Sequence, residues 1–338
     1  MGSCRGIPGE VDTFGLTRLL IIASGSAKPA ADELAERLGQ RVVARVHEVR
    51  QHVPESRVAE ARRMADGSHA DGILSIGGGS AIGLGKAVAV ASGLPLIAVP
   101  TTYAGSEATP IFGVTGAHKT TGRDPRALPR LAVYDALLTT ALPRHVTVTS
   151  GLNALAHCVE ALYAPSANPV TSLLAEEGIR VLTRAIPQVV DQPDDLEGRA
   201  DALYGAYLAG SALGSAGTAL HHTLCHVMGG SYSLEHGDLH AVLLPHVAAY
   251  NTSFAPAELS RVARAMGTTD AAAGLHRLAQ ELGAPTDLAR LGMPEDGLDD
   301  VAARTVAAVG DRNPRPVDTE SLRQLLDDAY AGRPPGAD

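Results

Sequence analysis

Apolar residues follow two rhythms along this chain. Up to residue 143 they gather in short runs divided by helically spaced stretches. Thr17–Ala23 (TRLLIIA), Gly72–Ile76 (GILSI) and Pro95–Val99 (PLIAV) read as buried strands, and Arg41–Val49 alternates as another. Pro29–Leu38, Glu55–Asp66 and Ala81–Ser92 between them carry helical spacing. That alternation predicts a parallel sheet covered by helices. Thr109–Thr115 and Leu131–Tyr134 read as two further strands joined by a basic loop, Lys119–Arg130. After Pro143 the strand runs stop. Val146–Ala164, Val170–Val190, Leu196–Gly214, Thr218–Met228 and Ala241–Asn251 read as helices. Ala255–Met266, Ala271–Leu282, Leu298–Val309 and Thr319–Ala331 continue the pattern, with Gly267, Gly283 and Gly310 as helix ends. Pro187 is expected to terminate the second of these helices. The expectation is an α/β domain over 1–143 and an all-α domain over 144–338.

Composition narrows the classes. The 338 residues are 45% apolar and 19% charged, ordinary for a globular enzyme-sized chain. The formal net charge of −9 argues against a nucleic-acid surface and leaves room only for a local basic pocket. No apolar run reaches the roughly 18 residues of a membrane span. The first fifteen residues lack an apolar signal core. Cys4, Cys158 and Cys225 form neither a zinc-type pair nor a disulfide framework, which fits a cytoplasmic protein. Cys225 reads as a small buried hydrophobe on the flank of a histidine-bearing helix.

Two stretches carry candidate chemistry. Gly77-Gly78-Gly79-Ser80 leaves a strand and enters a helix. Such a turn lets backbone N–H groups and a helix N-terminus meet a phosphate, or is simply a tight connection. It is neither G-x-G-x-x-G nor a P-loop. Thr101 and Thr102 at the end of the next strand favour the phosphate, because ligands of parallel sheets bind at strand carboxyl ends. The turn Ser24–Lys28 after the first strand has no carboxylate to repel a ribose 2′-phosphate, so NADPH is expected to serve alongside NADH. In the basic loop, Lys119 and Arg123 are candidates for a carboxylated ligand, Arg126 and Arg130 for solvent.

The second stretch is Leu220–Asn251, which holds six of the thirteen histidines. His222 and His226 share a helix face at i,i+4, as do Asn153 and His157 upstream. Gly229 and Gly230 break the helical pattern, and His236 follows as a loop residue. His221, His240 and His246 read as buried, hydrogen-bonded core histidines. The converging set Asn153, His157, His222, His226 and His236 has the geometry of a metal site, or of what remains of one.

These residues resemble the iron-containing (group III) alcohol dehydrogenase superfamily over about Thr17–Pro334. Gly77–Ser80, Pro100-Thr101-Thr102, Gly105-Ser106-Glu107, His236-Gly237 and Leu243–His246 carry the match. The resemblance implies a Rossmann-like dinucleotide-binding domain followed by an all-α domain, the dehydroquinate synthase-like architecture, and a homodimer. It implies a cofactor site at Ser24, Gly77, Gly78, Gly79, Ser80, Thr101, Thr102 and Ser106, and a substrate site at Tyr103, Lys119 and Arg123. In metal-dependent members an Asp and three His bind iron or zinc. Asn153 replaces that Asp here, with His157, His222 and His236 in the other positions, and Gly83 replaces another Asp. With KTTGRDPRALPR, SGLNALAHCVEALYA and HHTLCHVMGG, these departures resemble the metal-independent branch that reduces maleylacetate to 3-oxoadipate with NADH or NADPH. Hydride addition to a double bond conjugated to a carbonyl gives an enolate, which hydrogen bonds stabilise and a proton donor completes. His157, His222, His226 and His236 are expected to bind and polarise the dicarboxylate, with His222 or His226 donating the proton. A metal-dependent alcohol or polyol dehydrogenase, and a reductase of another unsaturated keto acid, remain the alternatives.

Overall fold

The computed structural model describes residues 2–50, 53–116, 119–232 and 234–336, with only the backbone of Lys119. The chain divides into two compact units, Met1–Leu142 with Asp194–Leu203, and Pro143–Pro193 with Tyr204–Asp338.

The first unit contains α1 (Ile7–Thr13), β1 (Leu19–Ala23), α2 (Lys28–Leu38), β2 (Val42–Val46), α3 (Glu55–Gly67), β3 (Gly72–Gly77) and α4 (Gly79–Ser92). It continues through β4 (Leu96–Pro100), β5 (Ile111–Thr115), β6 (Lys119–Arg123) and β7 (Leu131–Ala132). The expected parallel sheet is present, in the order β2-β1-β3-β4-β7. Every residue of β1 is buried, because the sheet is covered on both faces. Leu19, Ile21 and Ala23 pack with α1 and α2 residues such as Val11 and Leu34. Leu20 and Ile22 enter the opposite layer with Val58, Ala61 and Val88 of α3 and α4.

One expectation needs correction here: Lys119–Arg123 is a strand, not loop, and pairs antiparallel with Ile111–Thr115 in a separate ribbon. Leu131–Ala132, expected as a strand, joins the main sheet beside β4. Asp194–Leu203 groups with the first unit. Arg199, 2% exposed, anchors that segment by donating to the Tyr103 hydroxyl at 3.1 Å and to the Thr139 carbonyl. A buried guanidinium with five donors has to sit where acceptors are, and helical patterning says nothing about where that is.

The second unit is helical: α5 (Arg144–Tyr163), α6 (Pro169–Asp191), α7 (Leu196–Ala216, its start counted with the first unit), α8 (Leu220–Tyr232) and α9 (His236–Asn251). Helices α10 (Pro256–Met266), α11 (Ala271–Glu281), α12 (Leu298–Val309) and α13 (Thr319–Ala331) follow. α6 runs on past Pro187 to Asp191. α8 runs through Gly229 and Gly230 to Tyr232, and His236 opens α9 instead of lying in a loop. Leu220, Leu224 and Met228 of α8 bury with Leu239, Val242 and Leu243 of α9, Val301 of α12 and Leu322 of α13. That burial outweighs the cost of about 1 kcal/mol per helix glycine. Among the described residues no helix is long and apolar enough to cross a membrane.

Candidate active site

In the first unit, β1, β3 and β4 are neighbours, so their carboxyl ends bring Ser24, the glycine turn and Thr101–Thr102 together. Gly77 has φ +143°, and a Cβ there would lie 2.4 Å from Ser24 Oγ and 2.9 Å from Ala81 Cβ. A Cβ on Gly78 would meet Thr102 Cγ2 at 2.9 Å. Gly79, the first residue of α4, faces open space instead: a Cβ there meets nothing within 4 Å. The turn therefore packs two glycines against its neighbours and leaves the N-terminus of α4 open. First-turn N–H groups have no intrahelical acceptor and suit a pyrophosphate. Ser106 follows β4, with its Oγ buried and unpartnered and its carbonyl held by Lys86 Nζ at 2.7 Å. Burial draws the Lys86 ammonium down to about 7, against the pull of Glu107.

The expected substrate residues of this unit are placed unevenly. Tyr103 is a correction: it is 0% exposed, and its hydroxyl donates to Thr139 Oγ1 at 3.1 Å while accepting from Arg199. It props the loop after β4. Arg123 is exposed at the end of β6. The Lys119 side chain lies outside the described residues. Arg126 is held by Asp124 (2.6 Å) and Arg130 lies 5.0 Å from the centre of the Phe14 ring, consistent with their solvent-facing reading.

The histidines converge within the second unit. α5 contributes Asn153, His157 and Glu160, one face at i, i+4 and i+7. All three are buried. α8 contributes His221, His222, Cys225 and His226, and α9 contributes His236 and His240. His145 and Asp238 tie the starts of α5 and α9 at 3.0 Å. His157 stacks on His222 at 5.0 Å between ring centres, and His226 on His236 at 5.9 Å. His226 and His236 are half-buried, the rest buried, so the cluster meets solvent through that pair.

Glu160 is the residue that sequence reasoning missed. Its carboxylate accepts from the backbone N–H of Ala219 (3.0 Å) and of His221 (2.7 Å), satisfying orphan donors at the start of α8. It also accepts from His222 Nδ1 at 2.6 Å. Burial pushes its acid up, but the His222 and His221 rings and the backbone donors outweigh that and hold it at about 2. With Nδ1–H committed to Glu160, His222 keeps Nε2 buried and without a partner. A clue existed in sequence: a lone carboxylate inside the apolar stretch NALAHCVEAL, on the face of Asn153 and His157.

His240 is buried and hydrogen-bonded, as expected of a core histidine, and it is also the hub of the cluster. Its ring centre lies 4.4 Å from His236, 4.8 Å from His221, 4.9 Å from His222 and 6.4 Å from His157. Its Nε2 is 3.0 Å from His236 Nε2, and its Nδ1 is 2.8 Å from His221 Nε2. Burial, then the neighbouring rings, hold His240 well below the ordinary histidine range. Burial and His222 lower His221 to about 3, and burial and His276 lower His246 to about 4. The unfolded chain therefore binds protons on these rings that the folded one refuses. Stability is full above the unfolded histidine pKa of about 6.5 and falls below it, by about 1.4 kcal/mol per pH unit for each such ring. Denaturant unfolding at pH 7, 6 and 5 is expected to show this loss; a flat profile would contradict it.

These donors differ from the superfamily's metal-binding set. Asn153 offers a neutral amide oxygen, buried and unpartnered, where a carboxylate would offset a cation. His236 Nε2 is engaged by His240. Among the described residues the His, Cys and acidic atoms that close on one another belong to His221, Cys225 and His240, not to His157, His222 and His236.

A strand-end glycine turn open to phosphate and, in the helical unit, a buried histidine cluster are features that a dinucleotide-dependent oxidoreductase requires. The chain belongs to the iron-containing alcohol dehydrogenase family, whose models match residues 1–136 (iron-containing alcohol dehydrogenase) and 147–330 (Fe-containing alcohol dehydrogenase family, C-terminal). It is 47% identical to the maleylacetate reductase of Burkholderia cepacia, over 98% of this chain and 94% of that one. The maleylacetate reductase of Sphingobium indicum is 46% identical over 99% and 95%. The crystal structure of maleylacetate reductase from Rhizobium sp. strain MTP-10005 superposes with a TM-score of 0.94 at 43% identity, covering 99% of this chain and 95% of that one.

Proposed function

We propose that this protein reduces the conjugated double bond of maleylacetate to 3-oxoadipate with NADH or NADPH, without a metal. The observation that carries the reading is the Glu160–His222 pair set beside a neutral Asn153. Similarity to maleylacetate reductases over nearly the whole chain supports the substrate. Ser24, Gly77–Gly79, Ser80, Thr101, Thr102 and Ser106 hold the dinucleotide, whose reduced nicotinamide supplies the hydride when bound. Addition to the β-carbon leaves an enolate. The imidazoles of His157, His226 and His236 hydrogen-bond the enolate oxygen and the carboxylates, where preformed donors act without reorganising. His222 delivers the proton to the α-carbon from Nε2. Glu160 fixes the ring's tautomer through Nδ1 and is the counter-charge when the ring carries both protons. Arg123, and Lys119 with it, supply positive charge for a carboxylate.

The test is NADH oxidation with fresh maleylacetate, with and without EDTA. Turnover is expected to be unchanged by chelator. Activity appearing only with added iron or zinc would overturn the metal-free reading. Conversely, Asn153→Asp restores the missing carboxylate and is expected to tighten Zn2+ binding by about tenfold or more, roughly 1.4 kcal/mol, seen by calorimetry. Cofactor choice follows from the carboxylate-free Ser24–Lys28 turn. The kcat/KM values for NADH and NADPH should lie within about a hundredfold of each other, roughly 2.7 kcal/mol. A larger preference for NADH contradicts the expectation of dual use.

A further inference from the structure

Three donor atoms meet beside the substrate histidines, and the proposed reduction uses none of them. His221 Nε2 lies 2.8 Å from His240 Nδ1 and 3.8 Å from Cys225 Sγ, and the three atoms fall within 4.8 Å of one another. All three residues are 0% exposed. α8 presents His221 and Cys225 one turn apart, and α9 supplies His240 from the facing helix. Bonds of about 2.0–2.1 Å to nitrogen and about 2.3 Å to sulfur set ligand atoms roughly 3.3–3.8 Å apart around one ion. The sulfur to His221 spacing is already there. The two nitrogens have to part by about half an ångström, and the thiol has to close on His240 by up to about one.

Proton bookkeeping is consistent with this. With the His240 ring proton on Nε2, toward His236 Nε2 at 3.0 Å, Nδ1 accepts from the His221 Nε2–H at 2.8 Å. A metal ion takes the place of that proton, which moves to His221 Nδ1, so that His221 Nε2 and His240 Nδ1 both coordinate. The Cys225 thiol loses its proton to solvent as the metal–sulfur bond forms.

Charge and softness select the ion. A divalent ion on one thiolate and two neutral imidazoles leaves a net positive charge in a fully buried pocket, which is costly. A monovalent ion leaves none. Thiolate with imidazole favours a soft d10 ion, and the three-donor set supplies no fourth protein ligand of the kind a structural zinc site requires. The geometry points to a buried three-coordinate Cu(I) site made by His221, Cys225 and His240, adjoining the substrate histidines through His236.

The test is anaerobic titration of the full chain with Cu(I) against bicinchoninate, in a Cys4→Ser background that removes the partly exposed thiol. One Cu(I) per chain is expected. Copper X-ray absorption should show one sulfur and two nitrogen neighbours, and Cys225→Ser should weaken binding by about a hundredfold or more. No uptake, copper with nitrogen neighbours only, or unchanged affinity in Cys225→Ser overturns the site. The absorption measurement is made without altering Cys225 and so does not depend on how that variant folds. Chelator-insensitive reduction of maleylacetate stands or falls separately.

Discussion

Replacing His222 with asparagine is expected to lower kcat for maleylacetate by about 10²- to 10⁴-fold, the usual contribution of a positioned general acid. The KM for NADH should hardly move, because none of the residues proposed to hold the dinucleotide is altered. The reason for singling out this ring is its buried pairing with Glu160 at 2.6 Å. His226→Asn alters a half-buried ring at the edge where the cluster meets solvent, and should cost less. Steady-state kinetics with both variants decides. A larger kcat loss in His226→Asn, with His222→Asn near wild type, would transfer the proton-donor role to His226.

Glu160→Gln should be the most destabilising single substitution near the site, by about 3–5 kcal/mol, as when one partner of a buried ion pair is removed. The carboxylate accepts from the backbone N–H of Ala219, just before α8, from those of His221 and His222, and from the His222 ring N–H. A glutamine has one acceptor oxygen, and its amide hydrogens would face donors. The pH dependence has a definite sign. The folded Glu160 acid lies at about 2, below the ordinary glutamate range. Its stabilisation is present above the unfolded pKa of about 4.3 and fades as pH falls from there toward 2. Chemical denaturation of both proteins at neutral and acidic pH is the measurement. The gap should be widest near pH 7 and shrink at the acid end; a gap that grows in acid would remove the charge argument.

Much of this was legible in the chain. The strand runs, the glycine turn and the α5 and α8 helices appear where the apolar spacing puts them. Errors came where spacing is ambiguous or a local preference lost to packing. Glycines 229 and 230 did not stop α8, because Met228 and its neighbours bury against α9 and α12. Lys119–Arg123 has no apolar alternation, yet it pairs with Ile111–Thr115, since backbone hydrogen bonds need no particular side chain. Tyr103 sat beside the glycine–threonine motifs in sequence, but its hydroxyl found Arg199, 96 residues away.

The sequence alone determined the two-unit plan, the strand-end glycine turn and the amide at Asn153, because these depend on periodicity and residue identity, which are local. Only the tertiary structure decided which histidine is held by a carboxylate, that His240 is the centre of the cluster, and that Cys225 faces His221 and His240. Those facts rest on contacts between helices far apart in the chain, such as Glu160 with His222 across 62 residues. A pairing of that kind is set by how whole helices pack, and no window of sequence contains both partners.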